Sequence, residues 1–507
     1  MLAPLHMTDL PDDLAAVRSI ALAQHQIARQ LWEQLEIVKH QLSQFVRARF
    51  GVSSEQLGGQ ADLFVDTVTL PVPLAAPATP VAGHMRRGRP ALPKDLPRER
   101  IEYDLTESEK AQFDEIERIG VEVSETLDYT PARLTVIEHA RIKYACRKDA
   151  ESTVRTAFAQ PSPLPKSNAS AGLLAQISVA TFVDHMPLHR QAIAFARKGI
   201  VLAESTLCDW KLRTAELVAV LLPALKCHIL AAPRVHSDDT TLQVRQAGRS
   251  STRTARLWGY LGAGQRRENG QWVDHRPAVM FEFTLSREAI HPMTFFAGYT
   301  GYLHADAYSG YQALYRGGRV IEVGCWAHCR RRFFEIAKVQ KTPGLAAQAL
   351  TWIANLYAIE SGIKNFDPQR KHAARQQHSV PLLADLRRWL EGHFPQLLPQ
   401  SPLAQAFGYA LRNWDALARF TEEGVLLPDN NAMERAIRPI AVGRSNYLFA
   451  GSPRGGEAAA TMYSLLGTAR LNGINPWLWL KDTLQRLPSH PSNRVAELLP
   501  LAGPANL

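Results

Sequence analysis

The chain is poor in cysteine. Its 507 residues include five, Cys146, Cys208, Cys227, Cys325 and Cys329. An odd, scattered set of this kind does not indicate a disulfide framework. We therefore expect a reducing, cytoplasmic location.

Targeting and membrane-spanning segments are also lacking. The N-terminus has no basic stretch followed by an apolar run, so we expect no signal peptide. The most apolar stretch, residues 217–233, contains Pro223, Lys226 and His228, which indicates a buried helix and not a membrane span. The Gly-rich segment 451–457 lacks the GxxxxGK[ST] pattern of an NTP-binding loop. We predict no membrane association.

Positive charge is in excess. The net charge is +10 and the isoelectric point is about 9.4, while 46% hydrophobic and 21% charged residues are ordinary for a globular protein. A basic chain of this kind favours a polyanionic partner through counterion release, and the chain is long enough for several domains. We therefore expect DNA or RNA as the partner.

The N-terminal region combines a helical pattern with a basic linker. Residues 1–60 are predicted as a coiled-coil-like helix, because apolar side chains recur at spacings of three and four. An amphipathic helix packed on its own domain fits equally. Residues 61–100 are predicted as a Pro-rich basic linker. Its arginines Arg86, Arg87 and Arg89 suit an A·T-rich minor groove, although a solvated charge run fits as well.

The predicted secondary structure changes along the middle of the chain. Residues 101–160 alternate like strands and are predicted as a small β-rich module. Residues 161–232 are predicted to be helical, with a helix-turn-helix-like pair around Gly199, a pattern that ordinary helical pairs share. Short β-type runs follow in 233–340, and residues 341–425 are predicted as an all-helical insertion.

Three acidic residues lie in separate segments. Asp238 and Asp306 are in short strand-like runs, and Glu434 is near the start of a helix. Each has a structural alternative: a turn pair for Asp238 and Asp239, a helix cap for Asp306, and a capping box for Glu434. Together they suit two divalent cations at a phosphodiester. Asp239 is expected to face the other way on its strand, in a structural role.

The order of these segments is that of an RNase H-like fold. Three antiparallel strands precede a fourth with the second Asp, and a later helix carries the Glu. We therefore predict a multidomain α/β protein with an RNase H-like core, a mixed sheet flanked by helices, interrupted by the helical insertion. The core comprises 233–340 and the Glu-bearing part 426–457, and 458–507 forms a C-terminal element.

Several motifs carry a family resemblance. HSDDT (236–240), GYLHADAYSGY (301–311), VGCWAHCRRRFFE (323–335) and above all the long block 429–457 resemble the IS66 family of transposases. The resemblance implies a DDE enzyme whose triad is Asp238, Asp306 and Glu434. These residues would bind two Mg²⁺ ions, which Mn²⁺ can replace.

The same resemblance implies an activity and partners. The reaction would be cleavage at the ends of an insertion sequence, followed by transfer of the 3′-OH to target DNA. Assembly on paired ends implies a dimer or larger complex near the nucleoid, assisted by proteins of the same element. Four arginines near Glu434 are candidates to bind phosphate, unless they form a solvated basic face: Arg435, Arg438, Arg444 and Arg454.

Zinc is not expected from the sequence. The family carries a zinc-binding module before its catalytic domain, but residues 109–149 of this chain retain only Cys146. A structural zinc site needs four ligands. Cys325, His328 and Cys329 form another short cluster, for which we expect packing near the active site. The module either folds without metal or is damaged.

Two rival functions stay open. One is a catalytically silent DNA-binding protein derived from a transposase, which the missing cysteines favour and the intact triad opposes. The other is an RNase H-like nuclease that does not transpose, which would share the triad.

Overall fold

The computed structural model describes most of the chain beyond the N-terminal region. The described residues are 96–111, 116–130, 133–146, 154–158, 161–246, 251–340 and 343–501, with 92, 94 and 248. The predicted helix at 1–60 and most of the linker, with Arg86, Arg87 and Arg89, lie outside them.

The described residues form two compact units. The larger lies within 91–328, 358–381 and 413–507, and the smaller within 329–357 and 382–412. Among the described residues, no helix is long and apolar enough to cross a membrane.

A four-stranded sheet opens the larger unit. Its elements are β1 (Arg98–Tyr103), α1 (Glu107–Lys110), β2 (Ile116–Thr130), β3 (Arg133–Cys146) and β4 (Val154–Thr156). β3 pairs antiparallel with β2 and β4 and parallel with β1. Leu134, Val136, Ala140 and Ile142 alternate along β3 and are buried, which gives the sheet one apolar face.

Four helices follow this sheet. They are α2 (Ala171–Phe182), α3 (Leu188–Ala196), α4 (Glu204–Val218) and α5 (Leu222–Leu230). Ser170 caps α2 by accepting a hydrogen bond from the Leu173 amide. Between α3 and α4 the chain turns at Gly199, whose φ of +83° suits glycine. The helical pair expected around Gly199 is therefore present.

A mixed sheet of five strands forms the centre of the larger unit. Its elements are β5 (Arg234–Arg245), β6 (Thr252–Glu268), β7 (Gln271–Thr284), α6 (Ile290–Phe295), β8 (Gly301–His304), α7 (Gln312–Tyr315) and β9 (Val320–Val323). The strand order is β7-β6-β5-β8-β9. The first three strands are antiparallel, and β8 and β9 run parallel to β5. Asn269 and Gly270 join β6 to β7 with positive φ angles, as a two-residue hairpin turn requires.

The following segment is helical. Its helices are α8 (Trp326–Ala337), α9 (Leu345–Gly362), α10 (Pro368–Ala374), α11 (Val380–His393), α12 (Pro402–Arg412) and α13 (Trp414–Ala418). Within the smaller unit, the ring of Phe407 packs 5.6 Å from Phe333 and 5.4 Å from Trp389, measured between ring centroids. Aromatic side chains thus supply part of its core.

Three helices complete the chain. They are α14 (Asn431–Tyr447), α15 (Pro453–Leu471) and α16 (Pro476–Arg486). Helix α15 covers the edge strand β7: Ser464 Oγ accepts from the Phe281 amide at 2.7 Å, and Thr468 Oγ1 from the Val279 amide at 3.0 Å. Gly456 permits this approach, because a Cβ there would lie 2.4 Å from the Phe283 ring. The open edge of the sheet is therefore satisfied inside the fold.

One buried arginine joins two segments of the larger unit. Arg375 forms two hydrogen bonds to the Glu360 carboxylate, at 2.9 and 2.7 Å. Its guanidinium also donates to the backbone carbonyls of Phe420, Glu423 and Leu426. All five donors of a guanidinium can thus be used without solvent, which is the condition for burying this charge.

Replacing Arg375 should destabilise the larger unit. Arg375→Met leaves the Glu360 carboxylate and three carbonyls unpaired, at a cost of about 3–5 kcal/mol. Arg486→Met is the matched control, because Arg486 forms an exposed pair with Asp482 that contributes roughly 0–1 kcal/mol. Thermal unfolding should show a large fall in Tm for Arg375→Met alone. Small and equal falls in Tm for the two variants would contradict this role of Arg375.

Candidate functional site

A His-x-Asp sequence occurs on two neighbouring strands. His236 on β5 lies directly beside His304 on the parallel strand β8. Asp238 and Asp306 each follow two residues later. Because side chains alternate along an extended chain, each Asp continues the face of its own histidine. The two carboxylates are therefore neighbours on one face of the sheet.

The histidine pair is a neutral layer beside these carboxylates. The rings of His236 and His304 are fully buried and stack with centroids 4.3 Å apart. Burial lowers the pKa of His236 to about 3 and that of His304 well below its ordinary value. Neither imidazole carries a positive charge at neutral pH, so neither neutralises Asp238 or Asp306.

Asn430 joins the start of α14 to β5. Its amide Nδ2 donates to the Ser237 carbonyl at 2.9 Å, and its Oδ1 lies 3.0 Å from His236 Nδ1. The Arg234 Nε donates to His236 Nε2 at 3.3 Å, so Nδ1 carries the proton and donates to Asn430. The Asn430 backbone N–H donates to Cys325 Sγ at 3.2 Å. All these groups lie in the larger unit, and Asn430 is fully buried.

Glu434 lies one turn into α14. The helix begins at Asn431, so Glu434 is one residue too late for a capping box. Gly259 is the cross-strand partner of Asp238, and a Cβ there would lie 2.2 Å from Met433 Cε. The turn that carries Glu434 thus packs on the sheet face that carries Asp238, and the three predicted acidic residues come together.

The electrostatics of the three carboxylates favour a cation. Burial raises the pKa of Asp238 to about 7, and the charges of Asp306, Asp239 and Glu434 add to the rise. Among the described residues, no Lys or Arg forms an ion pair with Asp238, Asp306 or Glu434. Half-buried carboxylates that form no ion pair with lysine or arginine suit a hard divalent ion such as Mg²⁺. The residues present therefore fit the metal that the motif resemblance implies.

Asp239 contrasts with its neighbour Asp238. Its carboxylate is 3% exposed and pairs with Arg256 at 2.9 Å and Arg287 at 2.8 Å. Its backbone N–H donates to Asp238 Oδ1 at 2.8 Å. These contacts agree with the structural role expected for Asp239, which also orients the Asp238 carboxylate.

A second possible ligand group adjoins Glu434. Cys325 Sγ, His328 Nδ1 and a Glu434 carboxylate oxygen lie within 4.8 Å of one another. Glu434, and not Cys329, completes this cluster. Burial raises the pKa of the Cys325 thiol to about 12, so without a metal it stays protonated and accepts the Asn430 amide. The adjacent Trp326 is buried and donates to the Leu417 carbonyl, in agreement with the expected packing.

The four arginines predicted near Glu434 differ in their surroundings. Arg435 and Arg438 are exposed on α14. Arg444 donates to the side chains of Thr240 and Thr241, at 3.0 and 2.7 Å, and holds α14 against β5. Arg454 pairs with Glu216 on the surface. Arg435 and Arg438 are thus the freest to contact phosphate.

The sequence reasoning missed the residues that support the carboxylates. No short sequence motif of a known site marks Asn430, His236 or His304. The repeated His-x-Asp was the available signal, because two copies on adjacent parallel strands place like residues side by side.

The repulsion between Asp238 and its neighbouring carboxylates leads to a prediction for the stability of the fold. The unfolded pKa of Asp is about 3.9, below the value of about 7 in the fold. Ionisation of Asp238 thus opposes folding, and the stability it takes away grows as pH rises from about 4 to 7. Asp238→Asn should therefore raise Tm in EDTA at pH 8, with a smaller difference at pH 5.

Asp239→Asn is the control for this measurement. It removes a carboxylate that two arginines stabilise, so it should lower Tm at both pH values. A fall in Tm for Asp238→Asn at pH 8 would show that the carboxylates do not repel each other as described.

Family models match four parts of the chain. "Transposase IS66 family" matches residues 166–458 and "IS66 C-terminal element" matches 464–501. A "zinc-finger binding domain of transposase IS66" matches 112–148, and "Transposase C of IS166 homeodomain" matches 38–101. The two N-terminal matches are to domains of the DNA-binding kind.

The zinc-finger match does not support the expectation that zinc is absent. The matched region has one cysteine, Cys146, and one histidine, His139. The ring nitrogens of His139 bond Tyr103 Oη at 3.0 Å and Thr126 Oγ1 at 2.8 Å.

Curated relatives share most of the chain. Three uncharacterized proteins of Sinorhizobium fredii (strain NBRC 101917 / NGR234) are similar to it. The protein y4hP is 35% identical over 430 residues, covering 80% of this chain and 75% of that protein. The protein y4jD is 34% identical over 423 residues, covering 81% of each. The protein y4qI is 31% identical over 412 residues, covering 79% and 75%. With the model that matches more than half of its length, these likenesses show that the chain belongs to the IS66 family of transposases.

Proposed function

We propose that this chain is a DDE transposase that cuts phosphodiesters at the ends of an insertion sequence and joins the freed 3′-OH to target DNA. Membership of the IS66 family supports a transposase role in general. The observation that carries the finer proposal is the meeting of Asp238, Asp306 and Glu434 on one sheet face, held by Asn430.

The proposed catalytic core is RNase H-like. The order β7-β6-β5-β8-β9, with three antiparallel strands and two parallel ones, agrees with that fold. So does the distribution of the acidic residues over the first strand, the end of the fourth and a late helix. Both features support the proposed RNase H-like core, because that fold brings together carboxylates from these three elements.

The chain's own residues would divide the work at the scissile phosphate. Asp238, Asp306 and Glu434 would hold two Mg²⁺ ions, which when bound activate the attacking hydroxyl and stabilise the leaving oxygen. The neutral rings of His236 and His304 keep the carboxylate charge available. The exposed Arg435 and Arg438 would bind neighbouring phosphates and orient the strand.

DNA is the proposed substrate of both steps, the cleavage and the strand transfer. The match to a zinc-finger domain and a homeodomain supports DNA as a partner. We further propose, from the family resemblance, a dimer or larger assembly on paired element ends and help from proteins of the same element. A cytoplasmic location at the nucleoid follows from this substrate.

Removing any one carboxylate should abolish the chemistry. Asp238→Asn, Asp306→Asn and Glu434→Gln should each lower Mg²⁺-dependent cleavage of an element-end duplex by about 10³-fold or more, because the three act as a unit. DNA affinity should stay near that of the parent chain. Asp482→Asn, which removes an exposed carboxylate on α16, should cleave normally.

The products separate the rival functions. Cleavage with joining to a second duplex supports the transposase, whereas cleavage without joining favours a nuclease. Binding without either reaction, even with the element's other proteins added, favours a silent DNA-binding protein. Wild-type cleavage by any of the three variants would refute the triad.

Asn430 should act as a positioning residue. Asn430→Asp keeps the shape but loses the donor to the Ser237 carbonyl. Residues that orient metal ligands typically contribute 10–100-fold in metal affinity or activity. We expect kcat to fall by about this factor and the Mg²⁺ concentration for half-maximal rate to rise, while DNA affinity is unchanged.

The control is an asparagine within α14, the helix that Asn430 precedes. Asn446→Ala removes a side chain that bonds only the Val442 carbonyl in its own helix, so its Mg²⁺ dependence should be normal. If Asn430→Asp reduced the amount of folded protein but left the Mg²⁺ dependence unchanged, its role would be structural only.

A further inference from the structure

A basic cleft of about 880 Å³ opens in the larger unit at the start of β5. The β6–β7 hairpin lines one side, and segments around Lys364–Lys371 and Gly424–Leu427 line the other. The lining is polar as well as apolar and includes Asn365 and Asn472. The cleft is too large for one small anion and is open to solvent.

Positive charge dominates this basic cleft. Arg234, Arg276, Lys364 and Lys371 line it, against the single carboxylate of Asp274. Arg276 and Lys364 are exposed. No described carboxylate forms an ion pair with Arg276, Lys364 or Lys371. Three cationic side chains therefore line the cleft with no ion-pair partner among the described residues.

The charges behind the cleft increase this excess. Burial and the charge of Arg375 lower the pKa of Arg234 to about 10. Burial, Arg375 and Arg234 also lower the pKa of Lys371. The charges of Glu360 and Asp367 offset part of this fall in the pKa of Lys371, although Glu360 also binds Arg375 and Asp367 caps α10 through the Arg370 amide. An anionic ligand would relieve this crowding of like charges.

The position of the cleft relates it to the carboxylate site. Arg234 precedes Asp238 by four residues on β5, which is about 13 Å at 3.3 Å per residue. His236 and Asn430, which lie between these two residues, are fully buried, so the path from the carboxylates to the cleft runs over the surface and is longer than this distance. The cleft would therefore be a second contact for DNA, outside the carboxylate site.

We propose that the basic cleft binds the phosphate backbone of DNA that flanks the phosphodiester to be cut. The cleft would hold the DNA in place, and Arg276, Lys364 and Lys371 would contact phosphates without reading bases. The inference rests on the proposed function, because it takes DNA as the ligand from it.

Salt dependence of binding tests the cleft directly. Arg276→Gln/Lys364→Gln changes two exposed residues and lowers the net charge by two. Its control, Arg486→Gln/Arg494→Gln, lowers it equally at surface ion pairs with Asp482 and Glu497. Affinity for an element-end duplex is measured in EDTA between 50 and 200 mM salt. Each lost phosphate contact should reduce the slope of log K against log salt by about 0.9.

The cleft variant should therefore lose about two units of slope, while the control stays near the parent chain. Equal slopes for the two variants would overturn the proposal. The binding assay needs no cleavage, so its outcome does not depend on the acidic triad. A negative result for the cleft would not affect the cleavage test of Glu434→Gln, and a negative result of that test would not affect the salt slopes.

Uncharged phosphates locate the contact on the DNA. Methylphosphonates are placed singly at successive positions on either side of the scissile bond. The parent chain should lose affinity where a phosphate meets the cleft, and the cleft variant should show no further loss there, as a double-mutant cycle requires for groups in contact. A lower slope with no such coupling at any position would refute the contact between the cleft and DNA phosphates.

Discussion

The hydrogen bonds of Asn430 hold the site together. They join the residue just before a late helix to His236 and Ser237, which precede it by more than 190 residues. Because every polar atom of this junction is buried, breaking one bond leaves its partner unpaired, at a cost well above the net value of the bond. Such a network permits one arrangement of helix and strand. The distance of Glu434 from Asp238 and Asp306 depends on it, as does the packing of Met433 over Gly259.

Charge is distributed unevenly across the two faces of β5. Asp239 is neutralised by Arg256 and Arg287, while Asp238, on the other face, lies among carboxylates and neutral histidines. This contrast between adjacent residues gives one strand both a structural face and a face that suits a cation. The same strand begins at Arg234, where positive charge collects.

Local patterns in the sequence predicted many of the helices and strands, and the role of the three acidic residues stays a prediction. Alternation indicated the strands, and the extended block after Asp429 marked the helix of Glu434. Local rules could not predict Asn430, Arg375 or Arg444, because their partners lie 15 to 204 residues away and depend on tertiary packing. The capping box was a reasonable local alternative, yet the helix begins one residue too early for it. Counting cysteines led us not to expect zinc, whereas comparison with the family matched a zinc-finger domain there.

Iron-directed cleavage of the protein would reveal whether three distant carboxylates form one cation site. Fe²⁺ bound in place of Mg²⁺ generates hydroxyl radicals with ascorbate and peroxide, which cut the backbone next to the ion. We expect cuts near Asp238, Asp306 and Glu434 in the same molecule, suppressed by Mg²⁺ and lost in Glu434→Gln. Cuts confined to other segments, or cuts at these three that Mg²⁺ does not suppress, would contradict a shared cation site.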